Sequence, residues 1–135
     1  MASPRVRVLL DTHAWHWAAA DDPRLGAMAR AVIDESANEL VVSAISLWEF
    51  RVHIRRGRIE VVGDPNAWIA QTLASMQIEI APITGEIALR SEDLVGFGNR
   101  DPADRFIVAT AVVLGLPLIS VDTVVRAWSG VRTVW

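Results

Sequence analysis

Residues Val8-Leu-Leu-Asp-Thr-His13 run from apolar side chains straight into an acid that can cap a helix. Extended backwards, Arg5-Val-Arg-Val-Leu-Leu10 has a basic alternating start and a wholly apolar end, the pattern of a strand entering a buried sheet. Helical composition follows over 13–20 and again over 24–37, split by the turn signal Asp21-Asp22-Pro23. Leu40-Val-Val-Ser43 reads as a second short strand, and Ser43 or Ser46 can cap a helix reaching about residue 56, before Gly57. Asp64-Pro65 opens a helix over 66–76 by the cap-then-proline rule. Ile78-Glu-Ile-Ala81 is a third strand, and a short helix starts near Thr84. Asp101-Pro102 caps the most apolar helix, 103–114, which Gly115 ends; Leu118-Ile-Ser-Val121 is a fourth strand and Val131-Arg-Thr-Val134 a fifth. Short apolar strands alternating with helices predict right-handed βαβ units. The expected fold class is α/β: one three-layer α/β/α sandwich on a mainly parallel sheet of four or five strands.

Size and composition agree. The chain has 135 residues, 52% hydrophobic and 21% charged, with 13 basic against 16 acidic side chains for a net charge of −3. That is one core's worth of sequence, so residues 1–135 are expected to form one domain. Disordered chains are poorer in apolar residues and more highly charged. No apolar run approaches the roughly 18–20 residues of a membrane span. The start, Met1-Ala-Ser-Pro-Arg5, leads into a strand without a small-residue cleavage site, so the expected location is cytoplasmic.

What is missing narrows the chemistry. There is no Cys and no Tyr, and all 13 basic residues are arginine. Thiol nucleophiles, cysteine zinc sites, Schiff-base lysines and a P-loop lysine are thereby excluded. The glycines are scattered, and none builds a phosphate-cradling loop. Carboxylates, histidines or hydroxyls must carry any catalysis.

Ligands of open parallel sheets bind outside the carboxyl ends of the strands. Asp11 follows the first strand, Glu49 lies about two turns into the helix after Ser43, Asp101 and Asp104 occupy the first turn of the apolar helix, and Asp122 follows the fourth strand. Each has a plainer explanation. Asp11, Asp101 and Asp122 can be simple caps, Asp104 can serve the helix dipole, and Glu49 can be a solvated helix carboxylate. Unrelated explanations for acids from four chain segments, all converging on one rim, are less economical than one site. Clustered carboxylates repel and raise one another's pKa unless a cation joins them, and an all-oxygen set suits Mg²⁺ or Mn²⁺. Such ions assist phosphodiester hydrolysis.

These segments resemble a known family. Val8-Leu-Leu-Asp-Thr-His13, Val42-Ser-Ala-Ile-Ser-Leu-Trp-Glu49, Asp101-Pro-Ala-Asp-Arg-Phe-Ile-Val-Ala-Thr-Ala111 and Gly115-Leu-Pro-Leu-Ile-Ser-Val-Asp122 are similar to the PIN-domain family, and within it to the VapC ribonuclease toxins of VapBC toxin–antitoxin pairs. The likeness spans nearly the whole chain, in order and spacing. It implies catalytic and metal-holding roles for Asp11, Glu49, Asp104 and Asp122, with Asp11 and Asp104 foremost as direct ligands and Glu49 and Asp122 completing the set, Asp101 auxiliary, and Thr12 and Ser120 in support. It also implies Mg²⁺- or Mn²⁺-dependent endoribonuclease action on structured RNA, leaving 5′-phosphate and 3′-hydroxyl ends. A homodimer silenced by a small VapB-like antitoxin is implied as well. Asn99 stands where many relatives carry histidine, and Arg51 replaces a common lysine.

Arg51, Arg55, Arg56 and Arg58 form the one basic cluster and could hold RNA phosphates, or merely complement a helix C-terminus. Glu49 and His53 lie four apart on one helical face and could share a metal, although a polar helix flank explains them more simply. Six tryptophans are many for this length, and Trp15 and Trp17 leave helix 14–20 little polar surface, which favours an interface. Base stacking is a lesser option for some of them. A receiver domain needs an acidic pair and a lysine that this chain lacks. A metal-dependent phosphatase of the Asp-x-Asp type finds His13 at its third position. A catalytically silent RNA- or protein-binding module is the remaining alternative, and chelator-sensitive cleavage separates it from an enzyme.

Overall fold

The computed structural model describes residues 5–135. The reading of Met1–Pro4 lies outside them. Five strands form one sheet: β1 (Arg7–Leu10), β2 (Glu39–Ser43), β3 (Ile78–Ala81), β4 (Leu118–Ile119) and β5 (Thr133–Val134). Their order is β3-β2-β1-β4-β5 and every pairing is parallel, with Leu10 opposite both Val42 and Ile119. All carboxyl ends therefore open on the same rim.

Among the described residues, seven helices connect the strands: α1 (Thr12–Ala19), α2 (Ala27–Asp34), α3 (Ala44–Arg55), α4 (Pro65–Ser75), α5 (Gly85–Arg90), α6 (Pro102–Leu114) and α7 (Thr123–Ala127). The period-2 alternation of the strands divides the core. Val8, Leu10, Leu40, Val42 and Ile119 face α1–α4, where they meet Trp15, Phe50 and Ile69. Leu9, Val41 and Leu118 face the other way, against Ile87 of α5, Ile107 and Val108 of α6 and Val125 of α7. The three-layer arrangement is the one expected, with five strands.

Helix starts follow local chemistry. Asp64 accepts the Ala67 N–H at 2.9 Å with Pro65 next in line, and Gly115 ends α6 in the left-handed conformation, with φ of 66°. The expected helix over 24–37 is shorter because Asp22 engages both the backbone N–H and the guanidinium of Arg24. That turn delays the helix until Gly26 caps it. Strand β4 is likewise shorter than 118–121, because Ser120 accepts the Asp122 N–H and turns the chain out of the sheet.

One sequence expectation needs correction. Trp15 and Trp17 do not form an exposed apolar face, being 0% and 9% exposed. Trp15 packs edge-on against Phe50 and donates its indole N–H to Thr72 Oγ1 at 3.2 Å. Trp17 meets Trp135 and lies under the Arg24 guanidinium. Helix α1 is sunk between α3 and the chain terminus, so its tryptophans lend no support to an interface. The exposed tryptophan is Trp48, on α3.

Candidate active site

Four chain segments reach the rim where β1, β2 and β4 end. Asp11, directly after β1, is the N-cap of α1 and accepts the Ala14 N–H at 2.8 Å. The chain turns there because Asp11 donates its own N–H to Ile119 O, tying it to β4. Burial pushes its carboxyl above the ordinary range, and the Glu49 charge adds to the rise; hydrogen bonds from Ala14 and Ser120 and the nearby His13 pull the other way. The fully buried Ser120 hydroxyl thus serves two acids, bonding the Asp11 side chain and accepting the Asp122 N–H at 3.1 Å.

Glu49 is placed by α3, which Ser43 caps through the Ile45 N–H. A buried bond between the hydroxyls of Thr12 and Ser46, 3.0 Å long, pins α1 to α3 one residue from Asp11 and three from Glu49. Thr12 therefore positions the acids and carries no charge itself.

The third contribution comes from the start of α6. Asp101 caps that helix by accepting the Asp104 N–H at 3.2 Å. Asn99 donates its amide to Asp104 and takes the Asp101 N–H on its carbonyl. Arg105 secures the loop behind, donating to Ser91 O and Asn99 O. Asp104 is pushed up to about 6, chiefly by burial, with the charges of Asp101, Glu49 and Asp122 adding and the Asn99 amide opposing. Asp122 completes the rim as the cap of α7, where its Oδ1 accepts the Val124 and Val125 N–H groups.

Carboxylate oxygens of Glu49, Asp101 and Asp104 all lie within 4.8 Å of one another. Asp11 and Asp122 stand just outside that triple, linked to it by charge with Glu49 and Asp104 respectively. Asp101, which the sequence offered as an auxiliary, lies within the triple. Among the described residues, no arginine forms an ion pair with any of these five acids. Oxygen-only donors, a raised Asp104 carboxyl and, among the described residues, no paired arginine make a donor set that fits a hard divalent cation.

The histidines flank the site without joining its ligand triple. His53 stacks near His13, with ring centroids 5.9 Å apart, both its ring nitrogens are buried without a hydrogen-bond partner, and neither residue joins the ligand triple. Asn99 is the contributor that sequence reasoning left without a role. Its spacing from Asp101 and Asp104, two and five residues ahead, is the local signal of a side chain folding back over a helix start.

The PIN domain model matches residues 8–129. The chain is 35% identical to Ribonuclease VapC22 of Mycobacterium tuberculosis over 130 residues, covering 95% of this chain and 98% of that one. Among solved structures, VapBC2 from Rickettsia felis bound to a DNA fragment from its promoter superposes with a TM-score of 0.68 at 14% identity, covering 95% and 97% of the two chains. VapC20 of Mycobacterium tuberculosis, described as a Sarcin-Ricin loop cleaving toxin, gives 0.62 at 17% identity over 93% and 98%. The last two likenesses are of fold.

Proposed function

This chain belongs to the PIN-domain family, as a ribonuclease of the VapC type, and from that membership we infer that it is the endoribonuclease toxin of a toxin–antitoxin pair. The observation that carries the reading is the meeting of Asp11, Glu49, Asp101, Asp104 and Asp122 at one rim where, among the described residues, no arginine pairs with them.

Mg²⁺ or Mn²⁺ is the cofactor this donor set suits. Glu49, Asp101 and Asp104 would hold it, with Asp11 and Asp122 adding charge from either side. When bound, the ion supplies a nucleophilic water at neutral pH and offsets charge on the phosphoryl oxygens. The protein's part is preorganisation. Ser120 fixes Asp11 against Asp122, Asn99 aims Asp104, and the Thr12–Ser46 bond keeps α1 and α3 in register. Without a cation, five neighbouring carboxylates repel a phosphodiester, so metal loading also gates RNA entry. Arg51, Arg55, Arg56 and Arg58, all exposed, are the proposed phosphate contacts.

A VapB-like antitoxin and a homodimer are the proposed partners. The solved likenesses include VapBC pairs, and exposed Met28, Val62, Leu89 and Val95 give this chain apolar surface to cover. An antitoxin arginine reaching the rim could neutralise the acids in place of metal. Among the described residues, no helix is long and apolar enough to cross a membrane.

The test is cleavage of cellular RNA by the purified protein with Mg²⁺ or Mn²⁺, followed by sequencing of the ends. Chelator, Asp11→Asn and Asp104→Asn should each abolish cleavage while the fold persists. Full activity in either variant refutes the site. RNA binding without cleavage under any divalent ion would favour the silent module. Light scattering with and without the protein encoded alongside decides the partners.

A further inference from the structure

Trp48 is 59% exposed, whereas Trp15 and Trp17 are buried and Trp68, Trp128 and Trp135 are half-buried. Among the described residues it packs on no other aromatic ring. On α3 it shares a face with Arg51 and Arg55, three and seven positions on, and both are exposed. Arg5, Arg7, Arg24 and Arg30 are all held by carboxylates, but among the described residues Arg51 and Arg55 form no ion pair. In a chain of net charge −3, this is an aromatic plate edged by uncommitted positive charge. Trp48 precedes Glu49 in the chain and projects about 100° round the helix from it, so the stripe flanks the acids without facing them. Arg56, seven residues beyond Glu49, lies on the same helical line about 10.5 Å further along.

We propose that Trp48 is a stacking platform for one unpaired base of the RNA outside the acidic rim, and that Arg51 and Arg55 grip the phosphates next to it along α3. The proposal rests on the ribonuclease reading and adds to it where the strand runs and what holds its bases. A π-face accepts any base, and guanidinium groups on the same side meet the backbone, so the stripe holds single-stranded RNA without reading sequence. Two unpaired arginines beside the indole suit a polyanion better than the apolar face of a second protein.

The test measures binding of a labelled oligouridylate and of an abasic ribose-phosphate strand of equal length, in Mg²⁺ and in an Asp11→Asn background that spares the probe. Trp48→Ala should weaken oligouridylate binding about tenfold and leave the abasic strand unchanged, with Trp48→Phe restoring most of the loss. Arg51→Ala and Arg55→Ala should weaken both strands alike, each lowering the salt slope by about 1. Equal effects of Trp48→Ala on both strands, or none on either, overturn the proposal. So does a Trp48→Ala protein that binds RNA as its parent does but no longer dimerises or holds the antitoxin, which would make Trp48 a protein contact. Failure of the ribonuclease reading is separate: wild-type protein would then cut no RNA with either metal.

Discussion

The side-chain amide of Asn99 donates to Asp104 Oδ2 at 2.8 Å while its carbonyl accepts the Asp101 N–H, also at 2.8 Å. One neutral side chain therefore orients an acid and its neighbour's backbone together, and its dipole opposes the rise in the Asp104 carboxyl. Asn99 is a positioning residue with no charge to add to a crowded site.

Asn99→Ala should lower kcat about tenfold, a barrier change of about 1.4 kcal/mol, and weaken divalent-ion binding while leaving the fold intact. Asn99→His offers a ring N–H from the same position and should retain more activity than the alanine variant. Steady-state cleavage and a metal titration of each variant check this. Unchanged metal affinity in Asn99→Ala would remove the assigned role.

In chelator, stability should depend on pH through Asp104. Its folded value of about 6 lies above the ordinary 3.8 of the unfolded chain, so the folded state keeps this proton longer. The resulting stabilisation is fully present below about 3.8 and is lost as pH rises through about 6. Urea melts of wild type and Asp104→Asn across that window should show the variant gaining on the wild type as pH rises. Parallel curves would contradict the placement of Asp104. Saturating Mg²⁺ should remove most of the difference, and at a hundred times its Kd it adds about 2.7 kcal/mol to the wild type.

Ser120→Ala should cost about 1–3 kcal/mol, since it leaves the Asp122 N–H without its acceptor and takes one donor from buried Asp11. Cleavage should fall with it. Ser120→Thr keeps the hydroxyl and should preserve both properties. Denaturation and cleavage measured on the same preparations distinguish a site effect from a loss of folded protein.

The two faces of the tryptophan inventory predict opposite outcomes. Trp15→Ala removes a fully buried ring and its bond to Thr72, and should cost about 3–5 kcal/mol. Trp48→Ala removes an exposed one and should stay within about 0.5 kcal/mol of wild type. Chemical denaturation of the two proteins side by side measures the contrast.

Much of the architecture was legible because its signals are local. Asp64-Pro65 and Asp101-Pro102 cap where the cap-then-proline rule places them, and Ile78–Ala81 forms the strand its apolar ends suggest. The rim acids were legible because a parallel sheet turns strand ends into a shared address. Less was legible where side chains overrule propensity, as with Asp22 clamping Arg24 ahead of α2. Whether Trp15 or Trp48 faces water depends on the angle at which a helix meets its neighbours. Composition carries no record of that angle, so an apolar α1 read as an exposed surface. Asn99 escaped because its role is relational: an ordinary loop amide until α6 brings Asp104 within reach.

The interleaved strand order has a consequence in time. β1, β2 and β3 are all present once residue 81 has been made, but Asp101, Asp104 and Asp122 belong to the last third of the chain, and β4 must still insert beside β1. At translation rates of about 5–20 residues per second, roughly 4–15 seconds separate the synthesis of Glu49 from that of Asp122. For most of that interval the nascent polypeptide carries only Asp11 and Glu49 of its acidic rim; Asp101 and Asp104 are added late in it, and the rim is whole only when residue 122 of 135 has been joined.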